Sequence, residues 1–531
     1  MTTLAYTSLE DIPKIHERAR QAFLSGKTKS ISFRKAQIAQ VGYLIKDNEQ
    51  RIKDALKLDL CRPEFETEFS DFTATYMDVR SSYDNAEKWS KPQKTDFNFN
   101  FFAMSPKTKA EPKGVVLFVA PFNFPVFLIF SPLVSAIAGG NAAVIKPSEQ
   151  TPAFSALIAE LVPQYLDNDL FHIVNGGPTE TTKILELRWD HIFYIGNGRV
   201  GRIIATAAAQ HLTPVTLELT DGGAVAHNNI GKNPVVVDPK CDVKLAARRI
   251  LWGRFSNAGQ TCLAPEYVLV PKTFQDKFVE ALVEAYHSFY PEGPAKSDSF
   301  SRIVSEKHTA RIKQMIDGTK GTIVVGGDAD ISQRYIAPTI VKDVRGDDSL
   351  MADEIFGPVL LVIPIEGVDE TIAFINGRDY PLAIYVFSKD KNFQKKIFDN
   401  TQSGCASTNE TVISAGVPGL PMGGIGGSGY GYYTGKHAFD EFTHLRVSLD
   451  NPGWVDKLAL GVRYPPYKPS KVLALLAPGL PPRPVGGKPA AAKRWAFWLA
   501  VAAAGAAAVL LTTGPGAGLL AQFRKAVKLA G

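Results

Sequence analysis

Cys262 stands in Gly259-Gln260-Thr261-Cys262, directly after Ser256-Asn257-Ala258. Cysteines kept for packing sit in apolar runs, and these neighbours are small and polar. An accessible thiolate with a lowered pKa would be a strong nucleophile toward a carbonyl carbon. A second pattern lies upstream. Gly196-Asn197-Gly198-Arg199-Val200-Gly201 follows an apolar stretch and satisfies G-x-G-x-x-G, so a helix opening there could hold a pyrophosphate at its N-terminus. A tight strand-to-helix turn would be spelled the same way. Other segments set polar residues among apolar ones. They are Pro121-Phe122-Asn123-Phe124-Pro125, Lys146-Pro147-Ser148-Glu149, Leu217-Glu218-Leu219, Glu354-Ile355-Phe356-Gly357-Pro358 and Pro421-Met422-Gly423-Gly424. Taken singly, Asn123 reads as a turn residue between prolines. Glu218 reads as a helix-start acid or ion-pair partner, and Glu354 as a loop acid.

The elements that must carry these residues follow from periodicity. Residues 8–92 read as helices, with Ala36, Ile38, Val41, Leu44 and Ile45 at helical spacing. Asn98 to Lys109 alternates weakly, as a hairpin would. Gly114 to Ala120 and Asn141 to Lys146 are buried strands by composition, with a helical stretch, Phe127 to Ala138, between them. Phe171 to Val174 and His191 to Ile195 repeat the pattern. This βαβ alternation predicts an α/β fold with a parallel sheet covered on both faces. Val235-Val236-Val237 begins a second such run, continued by Val268 to Val270, Ile323 to Val325 and Leu360 to Val362.

In this order the motifs resemble the NAD(P)-dependent aldehyde dehydrogenase superfamily, from about Ser32 to Arg446. The resemblance implies a Rossmann-type NAD-binding domain over 1–96 and 111–230 and an α/β catalytic domain over 231–435. It also implies a small bridging or oligomerisation β element over 97–110 and 436–450. By the same resemblance, Cys262 attacks an aldehyde, and the Asn123 amide with the Cys262 backbone N–H forms the oxyanion hole. Glu218 is the general base for water that hydrolyses the thioester. Gly196, Asn197 and Gly201 carry the phosphate turn, although Asn197 replaces the usual serine. Lys146 and Glu149 bind the adenosine ribose, Glu354 holds the nicotinamide ribose, and Phe356 packs near the ring. A carboxylate at Glu149 repels a 2′-phosphate, so NAD is favoured over NADP. Phe122 replaces a common tryptophan. A homodimer is implied.

One departure lies beside the base. Relatives follow the Glu-Leu pair with Gly-Gly-Lys and a strand; here Thr220 to Ile230 intervenes before Gly231-Lys232-Asn233-Pro234. Such a segment either bulges from the rim, since loop closure costs little more with length, or displaces Glu218 and impairs catalysis. Leu263-Ala264-Pro265-Glu266-Tyr267, Phe439 to His444 and Arg463-Tyr464-Pro465-Pro466 look like the membrane-anchored fatty aldehyde dehydrogenase branch. That branch includes fungal members, some of which oxidise apocarotenals. A long apolar aldehyde is the implied substrate.

The chain has 531 residues, 45% hydrophobic and 21% charged, ordinary globular values that suggest two or three domains. Its net charge of +6 owes much to the last seventy residues and does not argue for nucleic acid. Cys61, Cys241, Cys262 and Cys405 are too scattered for a disulfide framework or a metal cluster. Residues 464–494 are rich in proline and glycine, as a linker is. Trp495 to Thr513 carries no charge and is flanked by Lys493, Arg494, Arg524 and Lys525. With the ~20-residue length that spans a bilayer, residues 495–523 read as a membrane anchor in lipid. The catalytic part would then face the cytosol, from the endoplasmic reticulum or the mitochondrial outer membrane.

Overall fold

A computed structural model of the chain describes residues 4–98, 100–220, 232–458, 460–467 and 481. The expected linker and anchor lie outside the described residues apart from 464–467 and 481, as does all but Thr220 of the extra segment. Among the described residues no helix is long and apolar enough to cross a membrane. Two compact units are present: residues up to Asp96 with Pro106–Leu449, and Phe97–Ser105 with residues from Asp450 on.

In the larger unit, strands Val115–Val119 and Ala142–Lys146 are buried at every position. A parallel sheet is covered on both faces, so its strands read as unbroken apolar runs. Helix Pro125–Gly139 connects them and is itself buried throughout. Pro125 suits the first turn, where its missing N–H has no intrahelical use. Gly140, at φ 92°, ends the helix by returning its N–H to the carbonyls of Ala136 and Ile137.

The first sheet runs Gly429–Tyr430, Val215–Thr220, His191–Asn197, Val115–Val119, Ala142–Lys146, Phe171–Ile173. Only the outermost strand, Gly429–Tyr430, is antiparallel to its neighbour. From Val115–Val119 the chain builds outward on one side, then returns to the other with His191–Asn197. That reversal is a topological switch point, where open α/β sheets bind ligands beyond their strand ends. The second sheet runs Thr322–Val325, Thr339–Lys342, Val359–Ile365, Tyr267–Pro271, Pro234–Val237, Ala383–Phe387, Cys405–Thr408. It is parallel except for Thr322–Val325. One hydrophobic core runs through both sheets.

The helical reading of the N-terminal region holds, with helices Asp11–Leu24, Ile31–Lys46, Glu49–Leu60 and Ala74–Ser90. The hairpin expected over Asn98 to Lys109 is displaced. Gln93–Lys94 pairs antiparallel with Lys107–Pro112, which pairs in turn with Thr443–Ser448. The Asn-Phe alternation imitates a strand, yet Phe97–Ser105 falls in the smaller unit. There Asp450 donates its N–H to the Met104 carbonyl at 2.8 Å, ahead of the short helix Trp454–Leu458.

Candidate active site

Helix Val243–Phe255 is capped by the Asp242 carboxylate, which accepts from Leu245 N at 3.1 Å. Beyond it the backbone turns left-handed at Asn257, Ala258 and Gly259, with φ of 51°, 52° and 75°. Non-glycine residues rarely hold this conformation unless their surroundings impose it. Here the Asn257 side chain does so. Its Nδ2 donates to the carbonyls of Asn123 (3.0 Å) and Gln260 (3.1 Å), and its Oδ1 accepts from Arg62 Nε at 3.2 Å. A Cβ on Gly259 would fall 2.3 Å from the Gly357 carbonyl oxygen, so glycine lets this turn press against the loop of Glu354 and Phe356. The Cys262 carbonyl accepts from Asn233 Nδ2 at 2.6 Å.

Glu218 sits near the end of strand Val215–Thr220, opposite Gly429. Its side chain is buried, and neither carboxyl oxygen completes a hydrogen bond. Burial pushes its pKa up, although the Cys262 thiol and the Tyr433 hydroxyl beside it favour the charged form. Cys262 is 8% exposed. Burial first, then the nearby Glu218 and Glu354, push its thiol well above the ordinary value. The expected accessible, low-pKa thiolate is therefore corrected to a buried thiol facing a carboxyl.

Tyr433 was not singled out from the sequence. Tyr430, Tyr432 and Tyr433 crowd one glycine-rich stretch, and only burial separates them: 48%, 41% and 2% exposed. Its hydroxyl faces both Glu218 and Cys262.

Asn123 is buried, and its carbonyl also accepts from Arg62 Nη2. Arg62 is in turn paired inside the protein with Asp71 at 2.5 Å. Asp71 accepts from Phe127 N at 2.9 Å at the start of helix Pro125–Gly139. The Asn123 loop and the Cys262 loop are thus fixed to each other by Arg62 and Asn257. Phe122 meets Phe356 edge to face at 5.8 Å, which brings the Glu354 segment to the same place.

A second cluster forms at the strand ends of the first sheet. Strand His191–Asn197 passes directly into helix Gly198–Gln210, with Asn197 Oδ1 accepting from Val200 N at 2.9 Å. A Cβ on Gly196 would lie 2.4 Å from the Tyr194 hydroxyl, and one on Gly201 would lie 2.5 Å from Leu219 Cδ2. These are the close approaches for which a dinucleotide turn uses glycine. Lys146 Nζ pairs with Glu149 Oε2 at 2.6 Å. The Glu149 charge acts on Tyr194, whose hydroxyl donates to the Asn197 carbonyl at 3.0 Å. The sequence-predicted residues therefore gather into two clusters, Cys262, Glu218, Asn123, Glu354 and Phe356 in one, and Lys146, Glu149, Gly196, Asn197 and Gly201 in the other. The glycine approaches and the lysine–glutamate pair fit a dinucleotide. Among the described residues no group of three or more His, Cys, Asp or Glu could hold a metal ion.

A thiol facing a carboxyl, next to a glycine turn that fits a dinucleotide, is an arrangement suited to a nucleotide-dependent dehydrogenase. The family model "Aldehyde dehydrogenase family" matches residues 1–447. The chain is 40% identical over 460 residues to Aldehyde dehydrogenase family 3 member A2 of Macaca fascicularis, covering 86% of this chain and 91% of that protein. It is also 40% identical over 465 residues to the dimeric NADP-preferring aldehyde dehydrogenase of Canis lupus familiaris, covering 86% and 98%. The solved structure of Staphylococcus aureus AldH in its substrate-bound state is similar, with a TM-score of 0.83 and 36% identity over 88% of this chain and 99% of that one. The chain belongs to the aldehyde dehydrogenase family, and it is an NAD(P)-dependent enzyme.

Proposed function

We propose that the enzyme oxidises a long apolar aldehyde, a fatty aldehyde or an apocarotenal, to its carboxylic acid through a thioester on Cys262, with NAD as the cofactor. The observation that carries this reading is the buried Glu218 carboxyl set beside the Cys262 thiol and the Tyr433 hydroxyl. Glu218 takes the thiol proton as sulfur bonds to the carbonyl carbon. The Asn123 amide and the Cys262 N–H stabilise the alkoxide where charge develops. A bound nicotinamide dinucleotide supplies the two-electron acceptor, held by Gly196, Asn197, Gly201, Lys146, Glu149, Glu354 and Phe356. Glu218 releases the thiol proton to solvent, takes a second from water as the water attacks the thioester, and returns it to the Cys262 sulfur as the acid departs. Glu218 keeps its place ahead of the extra segment, which favours an active enzyme.

The Glu149 carboxylate beside Lys146 favours NAD over its 2′-phosphorylated form. An apolar substrate is supported by an aromatic cluster at the surface. Phe65, 71% exposed, stacks on Phe69 at 6.0 Å, and Phe69 meets Trp252 at 6.0 Å. Trp252 lies in the helix that leads into the Cys262 loop. Exposed apolar clusters of this kind mark binding surfaces. The uncharged segment Trp495 to Thr513 supports a lipid anchor with the catalytic domain in the cytosol. The dog relative's name supports a homodimer.

The test is NADH release with a panel of aliphatic, aromatic and polyene aldehydes, on the native protein and on Cys262→Ser. Long apolar aldehydes should give the highest kcat/KM. Cys262→Ser should lose oxidation while binding NAD nearly as well. Wild-type turnover in that variant would sink the nucleophile assignment, and a preference for short polar aldehydes would sink the substrate class.

A further inference from the structure

Lys232 lies at the re-entry of the chain into the second sheet, and its side chain is buried. An ammonium group has three donors and no acceptor, and burying one requires that its charge be answered. Here it is answered from two directions. Lys232 Nζ is paired with Glu266 at 2.8 Å, and it donates to the carbonyls of Leu350 (2.8 Å) and Asp353 (2.7 Å). Those carbonyls belong to the turn that leads into Glu354. Glu266 reinforces the tie, because its Oε1 accepts from Ile355 N at 2.9 Å and lies 3.3 Å from Arg254 Nη1. The turn is held on its other side by Arg311, which donates to the Glu354 and Ile355 carbonyls at 3.1 and 2.6 Å. The next residue, Asn233, does the same for the nucleophile. Besides the Cys262 carbonyl, its Nδ2 reaches the Ala264 carbonyl at 3.1 Å, and its Oδ1 accepts from Ala383 N at 2.9 Å. Two adjacent residues thus clamp two different functional loops.

We infer that Lys232 is a positioning residue that sets the Glu354 turn for the nicotinamide half of the dinucleotide, while Asn233 sets the Cys262 loop separately. The inference rests on the reading of Glu354 as a cofactor-binding acid. Lys232 touches no reacting atom, and its effect passes through the Asp353 carbonyl and Glu266. The division between the two neighbours makes the effect of Lys232 specific. Loosening it should weaken the cofactor side and leave the nucleophile side alone.

The test uses the full-length protein and two measurements that need no turnover. NADH affinity is read from the fluorescence of the bound nucleotide, and Cys262 reactivity from the rate of alkylation by iodoacetamide. Lys232→Met should weaken NADH binding about tenfold, the size of an ordinary coupling between contacting groups, and leave the alkylation rate unchanged. Glu354→Gln should weaken NADH binding to the same degree, while its lost charge eases ionisation of the Cys262 thiol and quickens alkylation. The double variant should bind no more weakly than either single one, since both changes act on one turn. Lys232→Gln, which keeps two donors, should recover part of the loss. If Glu354→Gln leaves NADH binding intact, the reading of Glu354 fails and takes the inference with it. If Glu354→Gln weakens binding while Lys232→Met does not, or if the two losses multiply, the inference alone is overturned. If neither Lys232 variant yields protein whose Cys262 alkylates at the native rate, Lys232 serves the fold, and the positioning role is rejected.

Discussion

Glu218 and Cys262 act on each other unequally. Both are buried; Glu218 raises the cost of a negative charge on Cys262, while the Cys262 thiol and the Tyr433 hydroxyl favour the charged form of Glu218. On the proposed mechanism acylation and hydrolysis both use Glu218 deprotonated, because a base accepts a proton only in that form. Burial has raised its pKa, so the acid limb of the turnover profile should lie above the ordinary glutamate value of 4.5. Glu218→Gln should slow hydrolysis more than acylation, since a thiol ionises unaided far more readily than water, so a burst of NADH should precede a steady state ~100- to 10,000-fold slower, with that limb gone. A full-speed steady state would assign the base elsewhere. Cys262, Glu218 and Asn123, which the fold brings together, were picked out from the sequence because ordered motifs surround them. Tyr433, Lys232 and Asn257 were not, because their meaning depends on burial against partners far away in the chain. The Lys232 ammonium, for example, is answered by carbonyls at Leu350 and Asp353.

Helices Ala74–Ser90 and Pro125–Gly139 pack together, and Ser131 Oγ donates to the Asp78 carboxyl between them. Burial pushes Asp78 up to about 6, from 3.8. The folded protein therefore binds this proton more tightly than the unfolded chain does. That contribution to stability is complete below about 3.8 and is lost as pH rises through about 6. At neutral pH the buried carboxylate costs on the order of 3 kcal/mol relative to its protonated form. Asp78→Asn should raise the urea midpoint at pH 7 and give no gain near pH 4; equal midpoints at both pH values would refute the assignment. Gly429 makes a second test at this scale. Its φ is 115°, and a Cβ there would lie 1.9 Å from the Leu217 carbonyl oxygen. Gly429→Ala should lower both the thermal midpoint and kcat, because the strand that carries Glu218 must shift. Unchanged kcat would show that the edge strand does not hold the base. The interior strands were readable from apolar runs alone. Gly429–Tyr430 was not, because two residues carry no periodicity and the strand pairs far from its place in the sequence. The Asn-Phe alternation near Asn98 misled for the opposite reason, having a strand's spelling while the pairing falls to its flanks, Gln93–Lys94 and Lys107–Pro112.

The molecule as a whole joins a catalytic body to a tail of different composition, rich in alanine, glycine and proline. If Trp495 to Thr513 anchors it, the full-length protein should stay with membranes through carbonate extraction. Truncation after Gly487 should then release an active enzyme, because Cys262, Glu218, Asn123 and the cofactor residues all lie upstream. Extraction of the intact protein by carbonate would reject the anchor, and a folded but inactive truncation would give the tail a part in catalysis. The first sheet has a further consequence, in the order in which the protein is made. Strand Val215–Thr220 receives its outer neighbour only when Gly429–Tyr430 has been synthesised. At ~5–20 residues per second the intervening roughly 200 residues take about 10–40 s. For that time the nascent chain presents an open sheet edge bearing Glu218, the kind of edge that recruits other chains. Ribosome-bound chains should therefore be the form of this enzyme most dependent on chaperones.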